Sequence, residues 1–332
     1  MDPLSQGVIA AVAAQQFAKK KFIVIATIIG FISGLAPDLD IFIRSSDDPF
    51  LSLEYHRQFT HSLLFIPIGS FICSSFFYFI FLRKKDISFK DTYLYSTLGY
   101  ATHGLLDACT TYGTQLLWPF SNERIAWNLI SIIDPLFTLP LVILVLLMLM
   151  KKNKFYAHIS LLWVFIYISL GIVQKERAED TARAIAKSRN HDVIDVTVKP
   201  SFANLVVWKT IYSTKSTYYV DAVSLKYNTE IFKGKKINKL NVSNSFPWLS
   251  IKSQQARDIQ KFSWFSNGYI ALSPYYENRI IDIRYSMLPN DIKALWGIEL
   301  DSFANDNKHA QRVFNRRSNI ENYIILWGMI IK

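Results

Sequence analysis

The sequence predicts a membrane all-α region of about five transmembrane helices, with a polar site at the outer leaflet, followed by a C-terminal α+β extracytoplasmic domain. Three observations carry this. The chain has 332 residues, 51% of them hydrophobic and only 19% charged, below the roughly 25% of soluble chains. Nearly every long apolar run lies before Gln174, and basic residues gather at alternate ends of those runs. Length suggests about two domains, and the change in composition places them at 1–174 and 175–332.

The opening stretch, MDPLSQGVIAAVAAQQFAKKK, lacks the basic-then-apolar order of a cleaved signal peptide, so the first apolar segment is expected to be retained. Crossing the hydrocarbon core takes about 20 mostly apolar residues. Segments 63–82, 129–150 and 155–174 qualify. Segment 22–43 is apolar as far as Ala36 and is then broken by Pro37-Asp38-Leu39-Asp40, while 92–117 is interrupted by His103 and Asp107. Polar groups at membrane depth persist where they face protein or a wet cavity, which draws attention to those two segments.

Orientation follows the basic residues. Lys19–Lys21, then Arg83, Lys84, Lys85 and Lys90, then Lys151, Lys152 and Lys154 fall on one side; the opposite loops hold only Arg44, Arg57 and Arg124. The reading is an inner-membrane protein with a cytoplasmic N-terminus and an extracytoplasmic C-terminal domain. In that domain 175–188 reads as an amphipathic helix, and 193–199, 205–212, 217–224, 268–273 and 280–285 as strands. The apolar run 320–331 is too short to span and is expected to be a buried strand or helix.

The formal charge is +11, of which residues 175–332 carry +9, from 24 Lys+Arg against 15 Asp+Glu. A basic domain tethered beside anionic lipid accounts for this without nucleic acid. Two cysteines, both in apolar segments, exclude a disulfide framework and a thiolate zinc site.

The polar residues are not scattered. Asp38 and Asp40 sit where the first segment leaves the membrane, His56 and His61 in the loop that follows, and His103 and Asp107 in the outer half of the third segment. The last two are four apart and so share a helix face. Three of six histidines thus fall at one depth with several carboxylates. Carboxylates and neutral imidazoles are the ligands of zinc, manganese or iron. Six such groups suffice for two divalent ions, zinc or manganese, and three or four suffice for one. Arg57 and Arg124 on the same side could hold phosphate oxygens. Asp134 reads as supporting the site or capping a helix ahead of Pro135. Thr110-Thr111-Tyr112-Gly113-Thr114 reads as a helix-ending turn, not a nucleophile site.

At these residues the sequence resembles the bacterial LexA-regulated, inner-membrane-associated, metal-dependent hydrolase family. The matching pieces are MDPLSQG (1–7), GLAPDLD (34–40), EYHRQFTHSLLF (54–65), HGLLDACTTYGTQLLWPFS (103–121) and SIIDPLFTLP (131–140), continuing through QKERA (174–178) and DIRYS (282–286). The resemblance implies a metal site on Asp38, Asp40, His56, His61, His103 and Asp107, and a link to the DNA-damage response. This chain departs from the pattern at Gln6, where many relatives have histidine.

The expected function is hydrolysis of a lipid-linked or envelope phosphoester by metal-activated water. Arg57 would steady the leaving phosphate, and Glu54 or an unligated Asp would shuttle a proton; Thr60, Arg124 and Asp134 would support the ligands. Two other classes compete. Ion, proton or metal transport uses intramembrane acids too, but no internal repeat is visible. A non-catalytic metal-binding envelope-stress or scaffold protein would use the C-terminal domain to bind an envelope partner.

Overall fold

The computed structural model describes residues 1–315 and 320–331. Residues 316–319 and Lys332, which belong to the expected second domain, lie outside the described residues. In chain order the helices are α1 Pro3–Phe17, α2 Ile23–Leu35, α3 Leu51–Tyr55, α4 Ile66–Phe77, α5 Phe89–Ala108, α6 Pro135–Lys151 and α7 Phe155–Ser188. Eight strands follow, β1 Asp195–Pro200, β2 Val207–Ser213, β3 Thr217–Leu225, β4 Thr229–Asn238, β5 Ile270–Leu272, β6 Arg279–Asp282, β7 Trp296–Glu299 and β8 Gln311–Phe314. Among and after them come α8 Val242–Ser245, α9 Gln254–Phe265 and α10 Ile320–Ile331. The chain divides into two compact units: residues 1–43, 55–173 and 202–204, and residues 44–54, 174–201 and 205–332.

Three helical stretches are long and apolar enough to cross a membrane, Lys20–Phe42 and Leu63–Leu82 in the first unit and Phe155–Ser188, whose residues up to 173 belong to that unit. α5 is as long as a span but too polar to read as one, because Thr92, Ser96, His103 and Asp107 are buried against neighbouring helices rather than exposed to lipid. It begins at the Ser88 cap, whose hydroxyl accepts from Asp91 N, and stops at Ala108, earlier than the expected 117. α6 starts only at Pro135, because Asp134 caps it and proline occupies its first turn. The expected start at 129 is therefore corrected.

α1 was not foreseen. Asp2 caps it, accepting from Ser5 N at 3.0 Å, and Pro3 opens it. It is too short and too rich in glutamine and small residues to suggest a span. It is nonetheless buried nearly all round, and small residues let it approach its neighbours closely. The same device joins α2 to α5: a Cβ at Gly99 would collide with the backbone of Gly30. The sequence reading put the N-terminus and Lys19–Lys21 on one face. The structure separates them by the length of α1, about 22 Å: the Met1 amine lies against Asp107, whereas Lys19 bonds Asp91 at the start of α5.

The second unit contains two antiparallel sheets, ordered β1-β2-β3-β4 and β5-β6-β7-β8. They share one core that includes Ile211, Val220, Ala271, Ile281 and Ile283. β4, β7 and β8 were not foreseen; β4 is an exposed edge strand whose sequence, TEIFKGKKIN, has no buried face to betray it. The distal part of α7 belongs here. Arg189 makes a two-pronged contact with Asp221, at 2.7 and 3.0 Å, where β3 and β4 shift register. The run 320–331 is a helix, but only Leu326 and Met329 of it are buried, against Val207 and Ala222. The expectation of a buried element is corrected.

Candidate metal centre

Three separate stretches deliver donors to one point in the first unit. α2 ends at Leu35 and the chain tightens into a 3-10 turn, Ala36–Phe42, begun by Pro37, which brings Asp38 and Asp40 round. A second short turn, Phe59–His61, presents His61. α5 presents His103 and Asp107 from its last turns. Gly104 makes the meeting possible, since any Cβ there would collide with the carbonyl oxygen of His61. Glycine at that position reflects close approach of the two backbones.

His61 Nε2 lies 3.4 Å from Asp38 Oδ1 and 3.4 Å from Asp107 Oδ2. His103 Nε2 lies 3.3 Å from Asp38 Oδ1 and 3.7 Å from Asp107 Oδ2. All four donor atoms fall within 4.8 Å of one another. A tetrahedral ion with bonds of about 2.0–2.2 Å has ligands about 3.3–3.6 Å apart, so these separations suit one ion. His61, His103 and Asp107 are wholly buried, whereas the Asp38 side chain is 28% exposed.

The fit is strongest in what these atoms lack. His61 Nε2 and His103 Nε2 are buried without a hydrogen-bond partner, and Asp107 Oδ2, also buried, is held by the Arg57 ion pair at 2.9 Å and by no hydrogen bond of good geometry. Buried polar atoms are nearly always satisfied, and here two unbonded imidazole nitrogens converge on a carboxylate oxygen. The other nitrogen of each ring is committed. His103 Nδ1 lies 2.5 Å from the Gly34 carbonyl, which can only accept, so Nδ1 carries the proton and the neutral ring offers Nε2 as a lone pair. His61 Nδ1 faces Thr60 Oγ1 at 3.0 Å and Asp40 Oδ2 at 3.2 Å, with the same consequence. Outer partners of this kind fix the ring of a metal-ligating histidine.

Asp40 has a different place from Asp38. Its Oδ1 lies 2.7 Å from His56 Nδ1, and its Oδ2 accepts from Arg57 N at 3.0 Å and Thr60 Oγ1 at 2.9 Å. Asp38, Asp40 and His56 also form a possible ligand group. The direct Asp40–His56 contact, however, occupies the space between two of its donors, and one ion suits the geometry better than two.

Arg57 is buried, with a left-handed backbone (φ 65°) that few non-glycine residues adopt. Its guanidinium lies 2.9 Å from Asp107 Oδ2 as an ion pair, reaches Thr110 Oγ1 at 3.3 Å and packs over the Tyr112 ring. Arg124 donates to the Gly113 carbonyl at 2.8 Å and lies 5.4 Å from the same ring. Gln6 donates to Asp107 Oδ1 at 2.8 Å, so it stands beside a candidate ligand. Asp134 receives the Tyr167 hydroxyl at 2.7 Å and caps α6; the structure groups it with none of the candidate ligands. Glu54 belongs to the second unit, where Lys261 contacts it at 3.3 Å. Sequence reasoning missed the Gly34 carbonyl, Thr110 and Tyr112. All three lie inside quoted motifs, but nothing in those motifs says that a carbonyl, a hydroxyl or a ring would serve.

A family model described as "YdjM inner membrane protein" matches residues 1–178, more than half of the chain. The uncharacterized protein YfhP of Bacillus subtilis is 24% identical over 268 residues, 79% of this chain and 77% of that one. The inner membrane protein YbcI of Escherichia coli is 32% identical over 107 residues, 31% of this chain and 60% of that protein's length. No solved structure matches.

Proposed function

The chain belongs to the YdjM inner membrane protein family, and from that premise we propose that it is a membrane-embedded, metal-dependent hydrolase of lipid-linked or envelope phosphoesters. The observation that carries the reading is the convergence of two buried imidazole nitrogens without a hydrogen bond, His61 Nε2 and His103 Nε2, on the Asp107 carboxylate and the partly exposed Asp38. Zinc or manganese, held by these four residues, would supply a Lewis acid that polarises a phosphoryl oxygen and activates water. Asp40 and the Gly34 carbonyl hold the two imidazoles in the required tautomer. Arg57 neutralises Asp107 and so acts through it, in place of the phosphate clamp expected from sequence. Of the acids expected to move a proton, Asp38 is both at the site and open to solvent; Glu54 takes no step in this reading.

The topology is part of the proposal. With Lys19–Lys21 and the other basic clusters cytoplasmic, α1 and α2 run antiparallel, α4 to α7 complete the membrane region, and the metal centre lies at the extracytoplasmic end. A reporter fused after Lys332 is then active only outside the cytoplasm. Expression under LexA control, implied by the resemblance, is checked by transcript levels before and after DNA damage.

A closed, non-catalytic metal centre is the second reading, favoured by the count of four protein donors, since catalytic sites keep an open position. Protein purified in detergent separates the two. Elemental analysis should give about one ion per chain in wild type and a loss in His103→Ala and His61→Ala. Hydrolysis of a panel of phospholipid mono- and diesters, read as phosphate release from the monoesters and as formation of a phosphomonoester and an alcohol from the diesters, should depend on that ion. Metal without hydrolysis of either ester class favours the closed centre; wild type that stays metal-free after incubation with zinc and with manganese overturns both.

A further inference from the structure

Among the described residues of the second unit, α10 has two apolar faces. Leu326 and Met329 bury one against Val207 and Ala222. The other carries Ile320, Ile324, Trp327 and Ile331, between 61% and 75% exposed, at spacings of four, three and four that align them in a single stripe. An aqueous helix would cover or replace such a stripe, because contiguous exposed apolar surface marks an interaction site. Twelve residues make about 18 Å of helix, too short to cross a bilayer.

The position of this helix says what covers it. The Ile331 carbonyl accepts from Lys226 Nζ at 2.8 Å. The carbonyl of Lys226 in turn accepts from Arg177 at 2.6 Å, and that of Leu225 from Gln174 at 2.9 Å. Gln174 and Arg177 stand on α7 directly after the apolar stretch that ends at Val173. The C-terminus of α10 is therefore tied, within this unit, to the point where the membrane-crossing part of α7 gives out. Tyr227, beside Lys226, is wholly exposed. In the sequence Arg316, Arg317 and Lys332 flank α10. Tryptophan and tyrosine with flanking basic residues are the composition of a helix lying at a lipid headgroup boundary.

We propose that α10 is an interfacial membrane helix: its stripe Ile320–Ile324–Trp327–Ile331 sits in the acyl–headgroup boundary and fastens the second unit to the bilayer at a second point besides α7. Its occupant is lipid, not a partner protein and not a second copy.

The test uses the full chain in phosphatidylethanolamine–phosphatidylglycerol vesicles, with Cys73 and Cys109 replaced by alanine. A fluorophore is placed at Ile324→Cys or, separately, at Phe303→Cys, a site on the same unit that is 97% exposed. Lipid spin-labelled near the headgroup should quench the first at least threefold more than the second, with iodide in water showing the reverse order. Equal quenching of both sites by iodide, with none by labelled lipid, overturns the proposal. So does disulfide cross-linking of unlabelled Ile324→Cys chains to one another, which would make a second copy the occupant. Trp327→Glu is the companion variant: it should raise iodide access at position 324 while leaving metal content unchanged. No rise in iodide access would also overturn the proposal.

Discussion

Asp40 and His61 form the supporting contact of the metal centre: Asp40 Oδ2 lies 3.2 Å from His61 Nδ1, on the far side of the ring from the donors of Asp38 and Asp107. The carboxylate holds the proton on Nδ1 and leaves Nε2 free. Asp40→Asn should therefore keep one ion per chain but weaken its affinity roughly 10- to 100-fold, the usual cost of losing such an outer partner. His61→Ala should abolish binding at the same metal concentrations. Competition with a chelating dye measures both. Equal affinity in Asp40→Asn and wild type would remove Asp40 from the site.

Gly104 and Gly99 separate packing from metal binding. Each admits a neighbouring backbone, His61 in one case and Gly30 in the other. Alanine at either position forces α5 away from its neighbour and should cost about 1–3 kcal/mol of stability, read as an earlier thermal transition in detergent. Gly104→Ala presses directly on the backbone of the candidate ligand His61, whereas Gly99→Ala acts more than a turn away, so Gly104→Ala should lower metal affinity much more. Parallel loss of affinity in both variants would mean that the site merely reports the state of the bundle.

Asp134 and Tyr167 make a test of the opposite kind. The hydroxyl of Tyr167 is the polar partner of a buried carboxylate that also caps α6. Tyr167→Phe strands Asp134 Oδ2, at a cost of about 1–3 kcal/mol, while metal content should not change. A fall in bound metal would return Asp134 to the supporting role that the sequence suggested.

The candidate ligands were legible because charge and imidazole are scarce in apolar segments, so Asp38, His103 and Asp107 stand out wherever they occur. What Arg57 does was not legible. On the sequence it is a basic residue in an outer loop, whereas its contact with Asp107 depends on a left-handed backbone that no local pattern announces. α1 escaped for a physical reason as well: small residues such as Ala10 and Ala14 bury by close approach, not by hydropathy. α10 misled in the other direction, its apolar character being read as burial when most of it is exposed.

The second unit should become more stable as pH rises above neutrality. Lys209 is wholly buried; its ammonium donates to Ser286 Oγ and to the Asp291 carbonyl, each at 2.7 Å. Burial pushes its pKa down to about 7, and Lys199, paired with it across β1 and β2, is held well below the usual lysine value by burial and by Lys209 itself. The sign follows from proton counts. Below pH 7 Lys209 is charged in both folded and unfolded chains. Between about 7 and the ordinary lysine value near 10.4, the unfolded chain binds more protons, so stability rises with pH. Lys235 and Lys261, whose pKa values are raised, act only above that window. Proteolysis of the full chain in detergent, titrated with urea from pH 7 to pH 9.5, should show increasing resistance of the second unit. Lys209→Met should flatten much of that slope. A level or falling profile in wild type would show that Lys209 stays protonated inside the fold.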